Sequence, residues 1–328
     1  MDLDFNTPIS RRRVLGIGGG VAAGLASAGP LAAVSAAAQH KHAHKDALAG
    51  TPQTAKGKLS AKKMEEILEA EGSVSEGVLK VEVDREDIGT VKLKGVPITP
   101  AFMINGSLNF QPLSSNTAFF NGDLALKGSE IDPFIDALLK NGQVFQAEHQ
   151  HFYDFEPEVW FIHWRGMGEP LALAQATRNV LAATSIPLPQ KSPSHPKTPL
   201  DPGRLKSILH GYEASVGAEG VVTVYVARKE PIRIANVTVK PETNIATEIS
   251  FAPMGGGSAA VIPDFGMIGS EVNDVVGVMR AQGWDIGCLY NQETDEHPQL
   301  FFSHQFSIGD PYKLAEQVRR GLDQMNVQ

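Results

Sequence analysis

The apolar positions of the chain fall into short period-two runs separated by stretches with helical spacing. Strand-like runs cover Gly77 to Val83, a segment around Val91 to Val96, Ala101 to Phe110 and Thr117 to Leu126, rich in the β-branched and aromatic residues that suit a pleated surface. Helical spacing joins Met64, Ile67 and Leu68 behind Ser60, an N-cap residue type, and Gly72 ends it. A second helix takes Ile131, Phe134, Ile135, Leu138 and Leu139, capped by Ser129 with Asp132 and ended by Asn141-Gly142. A third starts at Glu169-Pro170 and reaches about Ala183, with proline in the first turn, where its missing N–H does no harm. Between the second and third helices two aromatic-rich segments, Ala147 to Phe152 and Val159 to Trp164, flank the polar turn Tyr153-Asp154-Phe155-Glu156-Pro157 and predict a hairpin.

This pattern occurs twice. From Phe110 to about Leu181 the chain aligns without a gap on Phe251 to Leu322 at a constant offset. Asp123 falls on Asp264, Gly128-Ser129-Glu130 on Gly269-Ser270-Glu271, Pro157 on Pro298, His163 on His304 and Pro170 on Pro311. A gapless match across helix, hairpin and helix indicates duplication, and duplicated units favour a pseudo-symmetric pair. Each copy reads strand, helix, strand, strand, helix behind leading strands. That order predicts an α+β class, with each antiparallel sheet covered by helices on one face and a ferredoxin-like βαββα core. Six prolines within residues 185–203 make that stretch a semi-rigid connector. The chain then divides into a leader (1–38), a His-containing polar tail (39–58), repeat 1 (59–184), the connector (185–203) and repeat 2 (204–328).

The leader carries Arg11-Arg12-Arg13 before a Gly/Ala-rich apolar run that ends in small residues such as Ala36-Ala37-Ala38. This is the layout of a twin-arginine secretory signal, with the twin-arginine export machinery as partner and a periplasmic or extracellular destination. So many glycines and alanines make a poor spanning helix, so no membrane span is expected after cleavage. Gly16-Ile17-Gly18-Gly19-Gly20 imitates a dinucleotide fingerprint, yet no strand precedes it. Removing the leader takes three arginines and two aspartates and moves the formal charge from −8 to −9. A domain this acidic, with no basic stripe, is not a nucleic-acid binder. The single cysteine, Cys288, excludes an intrachain disulfide framework and any multi-cysteine metal site.

The chemistry-bearing residues gather on the first hairpin. Alternation puts His149 and His151 on one strand face, and His163 on the partner strand joins them if it pairs opposite His149. Three imidazoles suit a divalent transition metal, Zn, Cu, Fe or Ni, and Glu148 and Glu156 are nearby candidates for a general base. The competing reading makes His149 and His151 polar strand residues and His163 a hydrogen-bonded core residue, since its counterpart His304 persists in a copy with Tyr290 and Gln292 in place of the other two. Alternate histidines His40, His42 and His44 in the tail could capture metal loosely or serve as a solvated spacer. The loop Met254-Gly255-Gly256-Gly257-Ser258 reads as a turn, and Cys288 as a small buried apolar residue.

The run His149-x-His151-Phe152, Glu156-Pro157-x-Val159-x-Phe161-x-His163, its echo Pro298-x-Leu300-Phe301-Phe302-x-His304 and the tandem layout together resemble the LppY/LpqO family, catalogued as DUF1259. The resemblance spans the mature chain and implies an exported protein without an assigned activity. It differs in lacking a lipid-bearing cysteine and in carrying Tyr290 and Gln292 where relatives often have histidines. The expectation is an exported protein that binds a transition metal in repeat 1, with a degenerate site in repeat 2, and that supports a metal-assisted reaction. The alternative is a non-catalytic module that holds a small-molecule ligand or envelope partner in the groove between the repeats.

Overall fold

The computed structural model describes residues 58–191 and 196–328. The leader and the histidine tail up to residue 57 lie outside the described residues. Repeat 1 runs α1 (Ala61–Leu68), β1 (Gly72–Ser75), β2 (Val78–Asp84), β3 (Val91–Leu93), β4 (Val96–Ile98), β5 (Asn105–Pro112), β6 (Ala118–Leu126), α2 (Ile131–Lys140), β7 (Val144–His149), β8 (Phe155–Glu156), β9 (Trp160–Gly168) and α3 (Pro170–Leu181). Repeat 2 follows with α4 (Pro202–Leu209), β10 (Glu213–Val216), β11 (Val222–Val226), β12 (Ile232–Ile234), β13 (Val237–Val239), β14 (Thr247–Gly255), β15 (Ser258–Ile268), α5 (Val272–Ala281), β16 (Asp285–Ile286), β17 (Glu296–His297), β18 (Leu300–Gly309) and α6 (Pro311–Leu322).

Each repeat builds a six-stranded antiparallel sheet, β1-β2-β5-β6-β9-β7 and β10-β11-β14-β15-β18-β16, and each adds a three-stranded sheet, β4-β3-β8 and β13-β12-β17. The expected α+β class and duplication are both present. Within the large sheet β6, α2, β7, β9 and α3 form the ferredoxin-like core, and the preceding strand β5 lies beside β6.

Period-two alternation sorts each strand between two cores. On β6, Ala118, Phe120, Leu124 and Leu126 meet Met64, Leu68, Phe134, Leu138 and Leu181 on the helix side. The intervening Phe119 and Ala125 point the other way and join clusters shared with repeat 2. Ala125, Phe152 and Phe161 pack with Val221, Ala260, Ile262 and Phe306. Reciprocally, Phe119 packs with Ile232, Ile234, Val239 and Phe302. The layers are therefore helices, sheet, sheet, helices, and the inner sheet faces bury each other. Asn121, 1% exposed, ties this interface: its amide nitrogen donates to Thr243 O (3.0 Å) and Glu293 Oε1 (2.6 Å), while Gln146 donates to its oxygen (2.9 Å).

Helix ends differ partly from expectation. Glu169 and Asp310 accept backbone N–H bonds at the starts of α3 and α6, with proline inside the first turn. Ser60 makes no side-chain cap. Ahead of α2 a 3-10 turn intervenes, and Glu130 rather than Ser129 binds the chain, accepting from Lys127 N (2.9 Å). Glu130 has a larger task, because it also receives the fully buried Arg85 (2.7 Å), which bonds Asp87 and Ala125 O as well. Repeat 2 copies this knot as Arg228 with Glu271 (2.8 Å), Glu230 and Gly266 O. The connector is held at its start: Ser185 donates to Glu130, Ile186 enters the first core, and Gln190 bonds both backbone groups of Asp84. Residues 192–195 lie outside the described residues.

Burial pushes the Glu130 carboxyl up, but hydrogen bonds from Ser185, Arg85 and Lys127 outweigh it and hold it below the usual range. Glu271 is lowered in the same way against burial by Arg228, Asn326 and Ile268. Removing one partner of a buried pair leaves the other charge uncompensated, so Arg85→Ala should lower stability at neutral pH by about 3–5 kcal/mol in urea unfolding. A lowered carboxyl contributes stability that is complete above its unfolded pKa and lost as pH falls through the folded one. The gap between wild type and variant should therefore narrow in acid, and a gap that widens would contradict the assignment.

Candidate metal centre

The first hairpin does not pair as expected. His163 lies opposite Ala147 and His149 opposite Phe161, with an irregularity between Phe145 and Ala147. His149 and His163 still share the inner face, and His151 follows two residues beyond His149, past the end of β7. Across the interface β18 presents His304 from repeat 2. The ring nitrogens of His149, His151 and His304 converge, with one from each residue all within 4.8 Å of one another. The three-histidine set therefore crosses the repeats, where the sequence pattern expected His163 to complete it.

The rings form a stacked array. His151 stacks on Phe161 (centroids 3.3 Å apart, 6°) and on His304 (3.6 Å, 21°). His149 lies on Tyr290 (3.5 Å, 19°), with His163 5.1 Å away. Both ring nitrogens of His149, His151 and His163 are buried without a hydrogen-bond partner. Burial pushes all four imidazole pKa values down, to about 3 for His163 and His304, and neighbouring imidazoles add to the effect on His149, His151 and His304. Neutral imidazoles keep the lone pair that a metal needs. His304 differs in having neighbours: its Nδ1 is 3.4 Å from Cys288 Sγ and its Nε2 3.6 Å from Asp264 Oδ2. With its proton on Nε2, His304 directs that N–H at the Asp264 carboxyl and keeps the Nδ1 lone pair for a metal, the arrangement that orients ligand histidines. Cys288 is buried, as expected of a small apolar residue, and burial raises its thiol pKa.

His163 occupies in repeat 1 the place of His304 in repeat 2, opposite Asp123 as His304 is opposite Asp264. Its near neighbour from the second hairpin is Tyr290 (centroids 5.8 Å), the residue that stands where repeat 1 has His149. The imidazole is 2% exposed and lines the same cavity as His151 and His304. Glu148 is exposed and pairs with Ile162 on the opposite face from the imidazoles, and Glu156 is exposed on β8 opposite Lys92. Neither is among the residues that line the cavity. The carboxyls that do line it include Asp123 and Asp264. Burial raises Asp123 to about 7, and it holds Asp264 well above the carboxylate range, with the Glu248 and Asp123 charges adding to that rise. The repeat alignment already contained His304 and the Asp123/Asp264 match. What it lacked was the crossing of one repeat's hairpin onto the other's strand.

That crossing depends on a close approach. Gly287 donates its N–H to His304 O (2.8 Å), and a Cβ there would strike His151 O and the Phe152 ring. Repeat 1 has Gln146 at the corresponding position, so the need is specific to the site-bearing contact.

A family described as a domain of unknown function, DUF1259, matches residues 62–183 and again 204–324. The two matches cover most of the chain, which belongs to this family as a tandem repeat. Among curated proteins and among solved structures no match is found.

Gly287→Ala should reduce stability by about 1–3 kcal/mol through overpacking against His151 and Phe152. Gly277→Ala, at a helical position with nothing within 4 Å of the added carbon, should instead raise it by about 0.5–1 kcal/mol. Urea unfolding of the two variants reads both, and equal effects would contradict the packing argument.

Proposed function

We propose that this is an exported protein that holds a divalent transition metal on His149, His151 and His304. The observation that carries the reading is the convergence of His149, His151 and His304 from two repeats, with the ring nitrogens of His149 and His151 buried and unpaired. Unpaired buried polar groups destabilise a fold by about 1–3 kcal/mol each, so a sequence that retains several has a use for them. Bonds of about 2.0–2.1 Å to one ion would draw these nitrogens closer together than the 4.8 Å within which they lie, and an all-imidazole set suits Zn, Cu, Fe or Ni. His149, His151 and His304 would hold the ion, which would supply Lewis acidity. The chain's own residues exclude bulk water by sheet packing, orient His304 through Asp264, and offer Asp123 as a proton acceptor on the cavity wall. A second reading, a non-catalytic module for a small ligand, draws on the same cavity, because residues of both repeats line it.

Export rests on Arg11-Arg12 ahead of the Gly/Ala-rich run. Among the described residues no helix is long and apolar enough to cross a membrane. Replacing Arg11 and Arg12 by lysine should leave uncleaved precursor in the cytoplasm, and normal processing of that variant would remove the export reading.

Metal analysis of the mature protein, with His40, His42 and His44 changed to alanine, should find one transition-metal ion per chain. His149→Ala and His304→Ala should each lose it, and His163→Ala should retain it. Changing His149 and His151 to the Tyr and Gln of the second hairpin should also abolish binding. Loss in His163→Ala with retention in His304→Ala would restore a site confined to repeat 1, and a stable metal-free wild type would favour the ligand-binding module.

A further inference from the structure

The cavity beside the triad has walls that select a class of ligand. Its volume is about 120 Å³, room for on the order of ten waters when each needs roughly 10–15 Å³ of such space. A molecule of about that many non-hydrogen atoms fits. A second chamber of about 220 Å³ adjoins it and shares Lys80, Glu82, Asn105 and Tyr225 with its wall.

The first constraint is hydrogen bonding. Asn109 is 1% exposed and lines the cavity; its amide nitrogen donates to Ser107 Oγ (2.7 Å), leaving Oδ1 without a partner. Asp264 Oδ1 and both nitrogens of His163 are also buried and unpaired on this wall. Asn109 Oδ1 accepts, while a neutral imidazole and a carboxyl group can each accept and donate, so the complementary molecule carries groups that do both, as hydroxyls do.

Charge is the second constraint. Glu82, Asp123, Glu242, Glu248 and Asp264 line the cavity against the single ammonium of Lys80, which lies 4.0 Å over the Tyr225 ring. An anion would find no cationic side chain on this wall besides Lys80, which is already engaged with Tyr225. A cation would meet the ion on the triad, and the face of Tyr225 is already taken by Lys80. A neutral, hydroxyl-rich molecule satisfies both constraints, and it can displace the waters that otherwise fill a polar cavity. We propose that the cavity binds a small uncharged polyhydroxylated molecule of monosaccharide size, whose hydroxyl groups hydrogen-bond with Asn109, Asp264 and His163 beside the histidine triad. This rests on the triad holding a metal.

The test is calorimetric titration of the Zn-loaded mature protein with three probes of one size, D-glucose, D-glucuronate and D-glucosamine, after metal analysis of the same sample. Glucose should bind at least about tenfold more tightly than either charged analogue. Asn109→Ala should weaken glucose binding by about tenfold, the value of one hydrogen bond of roughly 1.4 kcal/mol, with metal content unchanged. Tighter binding of a charged probe, no binding of any probe at millimolar concentration, or an Asn109→Ala variant that binds glucose normally would overturn the proposal while leaving the metal site standing. A protein that cannot be loaded with Zn at all would instead remove the triad reading on which it rests.

Discussion

Each repeat covers only one face of its large sheet with helices, so the other face must be buried by something else. The other copy supplies the cover. Phe119, Ala125 and Phe161 from repeat 1 and Ala260, Ile262, Phe302 and Phe306 from repeat 2 lie in two shared clusters. Burial of this apolar surface stabilises by roughly 25 cal/mol per Å² and fixes how the sheets meet. The small sheets continue the exchange: the cluster around the one in repeat 1 takes in residues of repeat 2, and the cluster around the other takes in Phe119. Strand alternation then dictates that whatever lies between these apolar positions, Asn121 and Asp123 on β6 or His163 on β9, is carried into the same interface.

Polar groups brought inward this way follow two courses. Asn121, Gln146, Glu293 and Gln292 bond to one another or to backbone, and they hold the repeats together. His149, His151 and His163 bond to nothing. The contrast is informative because the interface clearly can satisfy its polar residues. Its failure at three neighbouring imidazoles, with both nitrogens of each ring unpaired and a fourth imidazole beside Cys288 and Asp264, marks a place where the packing serves something other than stability. Duplication with divergence explains the asymmetry, since Tyr290 and Gln292 replace the two histidines in the second hairpin while His304 is kept for use by the first.

Much of this was legible in the sequence. The constant offset announced two copies, the period-two runs gave β2, β5, β6 and β9, and the Glu-Pro and Asp-Pro starts of α3 and α6 were read as helix openings or matched them. The short strand β1 left no usable signal, because Gly72–Ser75 is polar and half exposed at a sheet edge. The site was half visible. His149 and His151 stood out by spacing, but His163 was joined to them through the expected hairpin pairing and His304 was read only as its structural counterpart, because the pattern along the chain carries no information about how two sheets stack. Glu148 and Glu156 failed to reach the cavity for a simpler reason: the pleat sends the neighbour of an inward histidine outward, and Glu156 belongs to a different, smaller sheet. The carboxyls that do reach it, Asp123 and Asp264, were present as an alignment match without a role.

X-ray absorption at the metal edge of the purified mature protein, with the tail histidines removed, tests the central claim most directly. The account predicts a first shell of three imidazole nitrogens plus light oxygen ligands, falling to two imidazoles or losing the metal when His304 alone is changed to alanine. A shell containing sulfur, or a three-imidazole shell that survives His304→Ala, would contradict a centre built across the two repeats.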